Sequence, residues 1–258
     1  MKYFYFGGIK IDNLNISEAV EKIREILKNE EKGYVVTPNA DHIVKLQRDK
    51  EFKRAYESAF LVLPDGISLL VASKLLGTPL KGRCAGADLI ERIFDIANDL
   101  GKSIFILGGT KGSEKIAMEK IKSFFPNVKI AAYSPPFGFE KNPKETSEII
   151  NKINSLKTDI LIVCVGAPKS EKWLYNNFDK LNIKIAFSLG AALDYFAGTI
   201  KRAPKWMQKI GLEWFWRLIQ EPKRLWKRYL IGNTIFVFLV LRELIRKILD
   251  KRDDQGNF

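Results

Sequence analysis

Asp65 stands between Pro64 and Gly66, directly after the apolar run at residues 59–63. A carboxylate projecting from so sharp a turn could take a proton from an attacking hydroxyl. An aspartate in this place is also a good helix N-cap, and by residue type alone the cap is the stronger reading. Thr37 and Asn39 bring a hydroxyl and an amide to the end of another apolar run, where ordinary turn chemistry would use them equally well. Arg83, in Lys81-Gly82-Arg83-Cys84-Ala85-Gly86, is a fixed cation able to pair with a diphosphate or to form a surface ion pair. Gly108, Gly109 and Gly112 fall between a third apolar run and a helix opening near Ser113-Glu114. Glycines there let backbone N–H groups approach a phosphate, and a helix N-terminus adds a favourable dipole. Tight strand-to-helix turns use glycine too, and this one matches neither a Walker A sequence nor a full G-x-G-x-x-G, so no P-loop ATPase or NAD enzyme is supported. Pro136 and Phe137, in Ser134-Pro135-Pro136-Phe137-Gly138-Phe139, could wall a nucleobase or simply stiffen a loop. His42, the only histidine, lies one turn into a helix beside apolar residues and reads as a hydrogen-bonded helix residue. A Ser-His-Asp triad would depend wholly on it.

These residues must be held by elements that alternate. Short, almost continuously apolar runs at 33–37, 59–63, 103–109, 159–166 and 184–190 read as strands. Helical spacing follows at Ile43, Leu46 and Phe52, and again at Leu69, Leu70, Ala72 and Leu76. Strands of this kind separated by helices predict a Rossmann-like α/β fold, a mostly parallel sheet with helices on both faces. Every candidate above falls just past the carboxyl end of a strand, the edge at which open α/β sheets bind ligands.

The chain has 258 residues, with 43 Lys and Arg against 30 Asp and Glu, a net charge of +13. Such a balance favours an anionic partner. Hydrophobic residues at 46% exclude a disordered chain, and two cysteines, Cys84 and Cys164, are too few for a disulfide framework or a structural zinc site. The first residues show no signal-peptide pattern, so a reducing, cytoplasmic setting is expected. Residues 201–258 hold 14 of the basic residues against 6 acids and four of the five tryptophans. Their apolar run from Ile231 to Leu241 is shorter than the about 20 residues that cross a bilayer. This composition predicts a boundary near residue 200: a core over 1–199, then a basic, Trp-rich amphipathic appendage over 200–258 lying on an anionic membrane surface. A terminal helix that merely packs on the core is the alternative. Nucleic acid is disfavoured as a partner, because the aromatics are tryptophans beside aliphatics, not stacking platforms on strands. In solution, self-association would hide the apolar surface.

Taken together, the motifs resemble the WecG/TagA/CpsF glycosyltransferases, glycosyltransferase family 26, and its TagA branch most. The resemblance is carried by Val36-Thr37-Pro38-Asn39-Ala40-Asp41-His42, Leu63-Pro64-Asp65-Gly66, Gly86-Ala87-Asp88 and Leu107-Gly108-Gly109. It continues through Val165-Gly166-Ala167-Pro168-Lys169 with Glu171-Lys172-Trp173, then Gly190 to Gly198, Arg202-Ala203-Pro204-Lys205-Trp206 and Glu221-Pro222-Lys223-Arg224. What it implies is a metal-independent, cofactor-free transfer of N-acetylmannosamine from a UDP-sugar donor to undecaprenyl-diphospho-N-acetylglucosamine, making the linkage unit of wall teichoic acid. A donor such as UDP-N-acetylmannosaminuronic acid or UDP-glucose is the alternative within the family. A non-catalytic nucleotide- or polyanion-binding protein is the alternative outside it. Residue by residue, the resemblance makes Asp65 the general base, with Thr37 and Asn39 near the donor sugar and Arg83 on a diphosphate. Asp194 matches the acid near the nucleoside. Gly108, Gly109, Pro136, Ser170 and Glu171 join the substrate contacts, and Arg217, Arg224 and Arg228 fall in the part that would close over the site at the cytoplasmic face of the membrane. Their spacing would let one helical face present all three. One departure is Ser170, where family members commonly have Gln after Ala-Pro-Lys; the shorter side chain would lose a reach toward the sugar.

Overall fold

A computed structural model describes residues 1–29 and 31–255 of the chain. The five expected runs are strands: β3 Gly33–Val36, β4 Leu61–Val62, β5 Ser103–Gly108, β7 Ile160–Cys164 and β8 Ile185–Ser188. With β6, Lys129–Tyr133, they form one six-stranded sheet in the order β4-β3-β8-β7-β5-β6, parallel throughout. The sequence reading passed over β6, whose half-exposed Lys-Ile-Ala-Ala-Tyr occupies the edge beyond β5 and has no need of a continuous apolar run. It also passed over an N-terminal hairpin, β1 Tyr3–Phe6 with β2 Ile9–Asp12. Its two-residue turn is Gly7-Gly8, both at positive φ (63° and 81°), the conformation that tight hairpins require and that glycine adopts without a side-chain clash.

Alternation along each strand divides the core in two. Ile104, Ile106, Ile160, Ile162, Ile185 and Phe187 face one side, under α1 (Ile16–Lys28), α5 (Gly86–Leu100), α6 (Ser113–Phe124) and α9 (Ala192–Ala197). Phe105, Leu107, Leu161, Val163 and Ala186 face the other. That side is covered by the hairpin, α2 (Ala40–Leu46), α3 (Lys50–Glu57), α4 (Ile67–Leu75), α7 (Pro143–Ser155) and α8 (Lys169–Asn177). Side chains leave opposite faces of a strand in turn, so a strand covered twice must be apolar at every position.

After residue 200 the chain is helical: α10 Lys205–Lys209, α11 Glu213–Gln220, α12 Pro222–Trp226, a π-helical turn Lys227–Ile231 and α13 Gly232–Gln255. This region shares the core of the rest. Phe236, Leu239 and Val240 of α13 are buried in the cluster that holds the hairpin and α2, and the Phe236 ring meets Phe6 edge-on with centroids 5.7 Å apart. Lys247 Nζ donates to the Leu76 carbonyl at 2.8 Å. Among the described residues no helix is long and apolar enough to cross a membrane.

Candidate active site

Because the sheet is parallel, the carboxyl ends of β3, β4, β5, β7 and β8 share one edge, and α11 to α13 roof it. Between them lies a cavity of about 890 Å³. Thr37, Asn39, Asp65, Arg83, Gly108, Gly109, Pro136, Glu171, Asp194, Arg217, Arg224 and Arg228 all line it. Parallel strand ends thus gather groups spread over nearly two hundred positions of sequence.

Asp65 leaves β4 through a turn pinned on both sides: its N–H donates to the Pro38 carbonyl at 2.8 Å, and Cys84 N–H donates to the Pro64 carbonyl at 2.7 Å. It does not cap α4, whose N-cap is Gly66 with no side-chain cap bond. The carboxylate is partly buried, makes no hydrogen bond among the described residues, and is pushed up to about 7, first by loss of water and then by the Glu213 carboxylate. Arg83 lies beside it in a cluster of four charges. Its Nη1 donates to Glu213 Oε2 at 3.0 Å and its Nη2 to Asp88 Oδ2 at 3.3 Å. Arg202 joins the same two acids, with Nη2 at 3.0 Å from Asp88 Oδ2 and Nε at 3.3 Å from Glu213 Oε1. The ion pair expected of Arg83 is therefore real, and it is a partly buried one on the cavity wall.

A second polar chain forms the floor. Thr37 Oγ1 donates to the Ser188 carbonyl at 3.3 Å, and Ser188 Oγ donates to Glu171 Oε1 at 2.9 Å. Glu171 Oε2 is buried without a partner among the described residues, and burial raises this carboxyl to about 6. His42 Nδ1 is 2.7 Å from the Tyr56 hydroxyl and 4.0 Å from Glu171 Oε1. Burial, with Arg228 nearby, lowers the imidazole to about 3, so it is neutral and serves as the hydrogen-bonded helix residue expected of it. Asn39 caps α2, its Oδ1 accepting from His42 N–H at 3.2 Å.

The glycine turn is not an empty anion cradle. Asp194 Oδ1 accepts from both the N–H and the hydroxyl of Thr110 at 2.8 Å, and Glu114 accepts from Gly112 N–H at 2.9 Å. Its glycines serve close packing: a Cβ on Gly108 would lie 2.7 Å from the Cys164 backbone, and one on Gly109 would lie 2.7 Å from the Leu193 side chain. Pro136 leads into Phe137, which is 98% exposed with Lys169 Nζ over its ring at 4.0 Å.

The three tail arginines reach the cavity from two helices and a turn, because the chain breaks at Glu221-Pro222 between Arg217 on α11 and Arg224 on α12. The single helical face expected of them does not exist. Arg228, in the π-helical turn, has Nε 3.0 Å from Asp41 Oδ2 of α2, in ionic contact but without hydrogen-bond alignment. Arg217 lies over the Tyr195 ring and 3.6 Å from Glu221, which also pairs with Arg224. Beyond the arginines the cavity opens onto apolar side chains, Val71 and Leu75 of α4, Ile210, and Val237 and Leu241 of α13, each more than half exposed.

The sequence matches the Glycosyl transferase WecG/TagA/CpsF family over residues 4–249. The chain belongs to that family. It is 32% identical over 232 residues to the N-acetylglucosaminyldiphosphoundecaprenol N-acetyl-beta-D-mannosaminyltransferase of Bacillus subtilis strain 168, covering 90% of this chain and 88% of that protein. A protein of the same name from Bacillus spizizenii is 31% identical over 216 residues, 83% of this chain and 82% of its own length. One from Staphylococcus aureus strain MRSA252 is 27% identical over 237 residues, 91% of each. The chain is thus a WecG/TagA/CpsF glycosyltransferase.

In this family member one expected contact fails. Ser170 is fully buried, its Oγ 3.4 Å from the Gly166 carbonyl, and it does not line the cavity, although its neighbours Lys169 and Glu171 do. Successive positions in the first turn of α8 point 100° apart, so only some of them can face the ligand edge. The sequence reading also left Arg202 and Glu213 without roles. Arg202 fell within a quoted motif; Glu213, a lone acid ahead of an aromatic run, carried no signal of its own.

Proposed function

We propose that this glycosyltransferase moves N-acetylmannosamine from UDP-N-acetylmannosamine to undecaprenyl-diphospho-N-acetylglucosamine, making the linkage unit of wall teichoic acid at the cytoplasmic face of the membrane. The observation that carries the reading is one cavity in which a base, a set of cations and an apolar mouth are contiguous: Asp65, then Arg83, Arg217, Arg224 and Arg228, then Val71, Leu75, Val237 and Leu241. The curated relatives bearing the matching name add to it.

Chemically, ionised Asp65 takes the proton of the acceptor hydroxyl as its oxygen bonds to the anomeric carbon of the donor sugar. The bond from that carbon to the diphosphate oxygen breaks, and UDP leaves with the electron pair. Guanidinium groups bind a diphosphate bidentately and neutralise the charge that develops on it. Arg217, Arg224 and Arg228 are such partners, and Arg83 offers the diphosphate the N–H groups that Glu213 and Asp88 leave unused, with Thr37 and Asn39 at the reacting sugar. Asp194 and the loop at Pro136, which line the same cavity, would hold the nucleoside.

The acceptor's lipid explains the mouth. Trp206 and Trp226 are 60% and 45% exposed on the basic tail, and tryptophan favours the water–lipid boundary. Each nearby Lys or Arg adds about 1 kcal/mol on anionic lipid. Off the membrane, self-association of the chain covers this surface. The test is UDP release with a short-chain lipid-diphosphate acceptor and a panel of UDP-N-acetylmannosamine, UDP-N-acetylmannosaminuronic acid and UDP-glucose. Release from the first alone supports the reading, release from another reassigns the donor, and release from none ends it.

A further inference from the structure

Glu213 is the first residue of α11 and the acid by which the C-terminal helices reach the neighbourhood of Asp65. Its two oxygens are divided between two cations, Oε2 toward Arg83 Nη1 at 3.0 Å and Oε1 toward Arg202 Nε at 3.3 Å. Asp88, on α5, takes the other sides of the same two guanidiniums. Two cations and two acids close on one another and leave no net charge. Asp65 lines the same cavity as Arg83 and Glu213, and the bond from Cys84 N–H to the Pro64 carbonyl at 2.7 Å ties the Arg83 connection to its turn. Among the described residues no member of the cluster hydrogen-bonds the Asp65 carboxylate.

Such a cluster is sensitive to the loss of one acid. Without the Glu213 charge, Arg83 and Arg202 would share Asp88 alone, and a surplus cation would face a partly buried carboxylate. An opposite charge a few ångströms away stabilises the ionised carboxylate and makes it a weaker base. We propose that Glu213 is a positioning residue for Asp65, holding Arg83 and Arg202 as ion pairs so that their charge does not strip the neighbouring carboxylate of its basicity. This rests on the reading of Asp65 as the base.

The surroundings agree on the sign. Burial raises Asp65 most, Glu213 comes next and Asp88 acts in the same direction, while Arg83 and Arg202 oppose them. Tyr56 from α3, Tyr195 from α9 and the adjacent Cys84 also feel the Asp65 charge, and His42, Asp41, Glu171, Asp194, Arg217, Arg224 and Arg228 line the same cavity farther along its wall and roof. Burial raises Tyr56, Tyr195 and Cys84, the last two to about 12 and Tyr56 well above its ordinary value, so none of these three is charged near neutrality. These two acids and two arginines are the charges that act most strongly on Asp65, and Glu213 is the member that borders the cavity from the tail.

The experiment is the pH profile of kcat/KM for the full chain with UDP-N-acetylmannosamine and a short-chain lipid-diphosphate acceptor. In the wild type the acidic limb should lie near pH 7. Glu213→Gln should move it down by about one unit or more and lower the plateau, and Glu213→Asp should restore both. Arg202→Gln removes a cation in place of an acid and should move the limb the opposite way, a second arm that stands if Glu213→Gln fails to fold. Limbs that stay fixed, or that move in the same direction in Glu213→Gln and Arg202→Gln, would overturn the proposal. A parallel Asp65→Asn separates the two readings. Normal turnover in that variant removes the base itself, whereas an inactive Asp65→Asn with an unmoved limb in Glu213→Gln removes only the role of Glu213.

Discussion

A general base working near neutrality needs a pKa close to the ambient pH and a free lone pair, and burial gives Asp65 both. Its carboxyl is pushed up to about 7, first by loss of water and then by the Glu213 carboxylate, and among the described residues no donor reaches it. Asp65→Asn should lower kcat by about 10²–10⁴-fold with UDP affinity retained, as read by calorimetry beside steady-state rates. The same displacement carries a stability signature. The folded state holds this proton more tightly than the unfolded chain, so folding stability falls as pH rises from the ordinary value of 3.8 toward about 7. Each unit of displacement corresponds to about 1.4 kcal/mol. Asp65→Asn should therefore raise the melting temperature at pH 8 and leave it nearly unchanged at pH 3.5; a lower Tm at pH 8 would contradict the cause assigned here. Ser170 teaches the converse. Its side chain is enclosed on all sides, so Ser170→Gln must force extra volume into packed surroundings. The expected result is a loss of about 1–3 kcal/mol in denaturant unfolding, with donor preference unchanged.

At the scale of elements, the parallel sheet supplies the platform and the last three helices supply the roof. α13 is anchored by Phe236, Leu239 and Val240, which pack with the hairpin and α2, so the roof cannot be removed cleanly. Deletion of residues 200–258 should expose that cluster and yield an aggregating or thermally weakened protein, not an intact nucleotide-binding core. A single change gives the magnitude: Phe236→Ala should cost about 3–5 kcal/mol in chemical unfolding. α11 is held differently, by charge through Glu213, and the π-helical turn after α12 by Arg228 with Asp41, while α12 itself buries Leu225. The ionic attachments of α11 and of that turn should be more responsive to salt than the apolar anchoring of α13.

For the whole molecule, the polar site and the apolar surface are two ends of one cavity, which suits a substrate with a sugar diphosphate at one end and a polyprenyl chain at the other. Leu75→Asp would put a charge at the exposed mouth, away from Asp65. It should reduce transfer to a long-chain acceptor in anionic vesicles several-fold while leaving transfer to a short-chain acceptor in detergent-free buffer unchanged. Equal losses with both acceptors would show that the mouth does not meet lipid. Co-sedimentation of the protein with anionic vesicles should weaken as salt rises, given a net charge of +13.

The α/β class, five of the six strands of the main sheet, and the positions of Asp65, Thr37 and Asp194 past strand ends were legible in the sequence, because a strand buried on both faces must be apolar throughout and a ligand edge must follow it. Arg83 instead reaches the edge from the connection between α4 and α5, not from a strand end. The hairpin carried its own Gly-Gly signal, while β6, half exposed, carried none strong enough. Three things were decided only in three dimensions. Ser170 turned inward because helix geometry, not residue type, sets which side of α8 meets the cavity. The basic tail joined the core because Phe236 and its neighbours found an apolar face, the one made by the hairpin and α2, that no pattern within residues 200–258 could announce. Glu213 came to lie beside Asp65 because ion pairing between residues 83, 88, 202 and 213 depends on distances in space, and nothing in the spacing of a chain records which charges will meet.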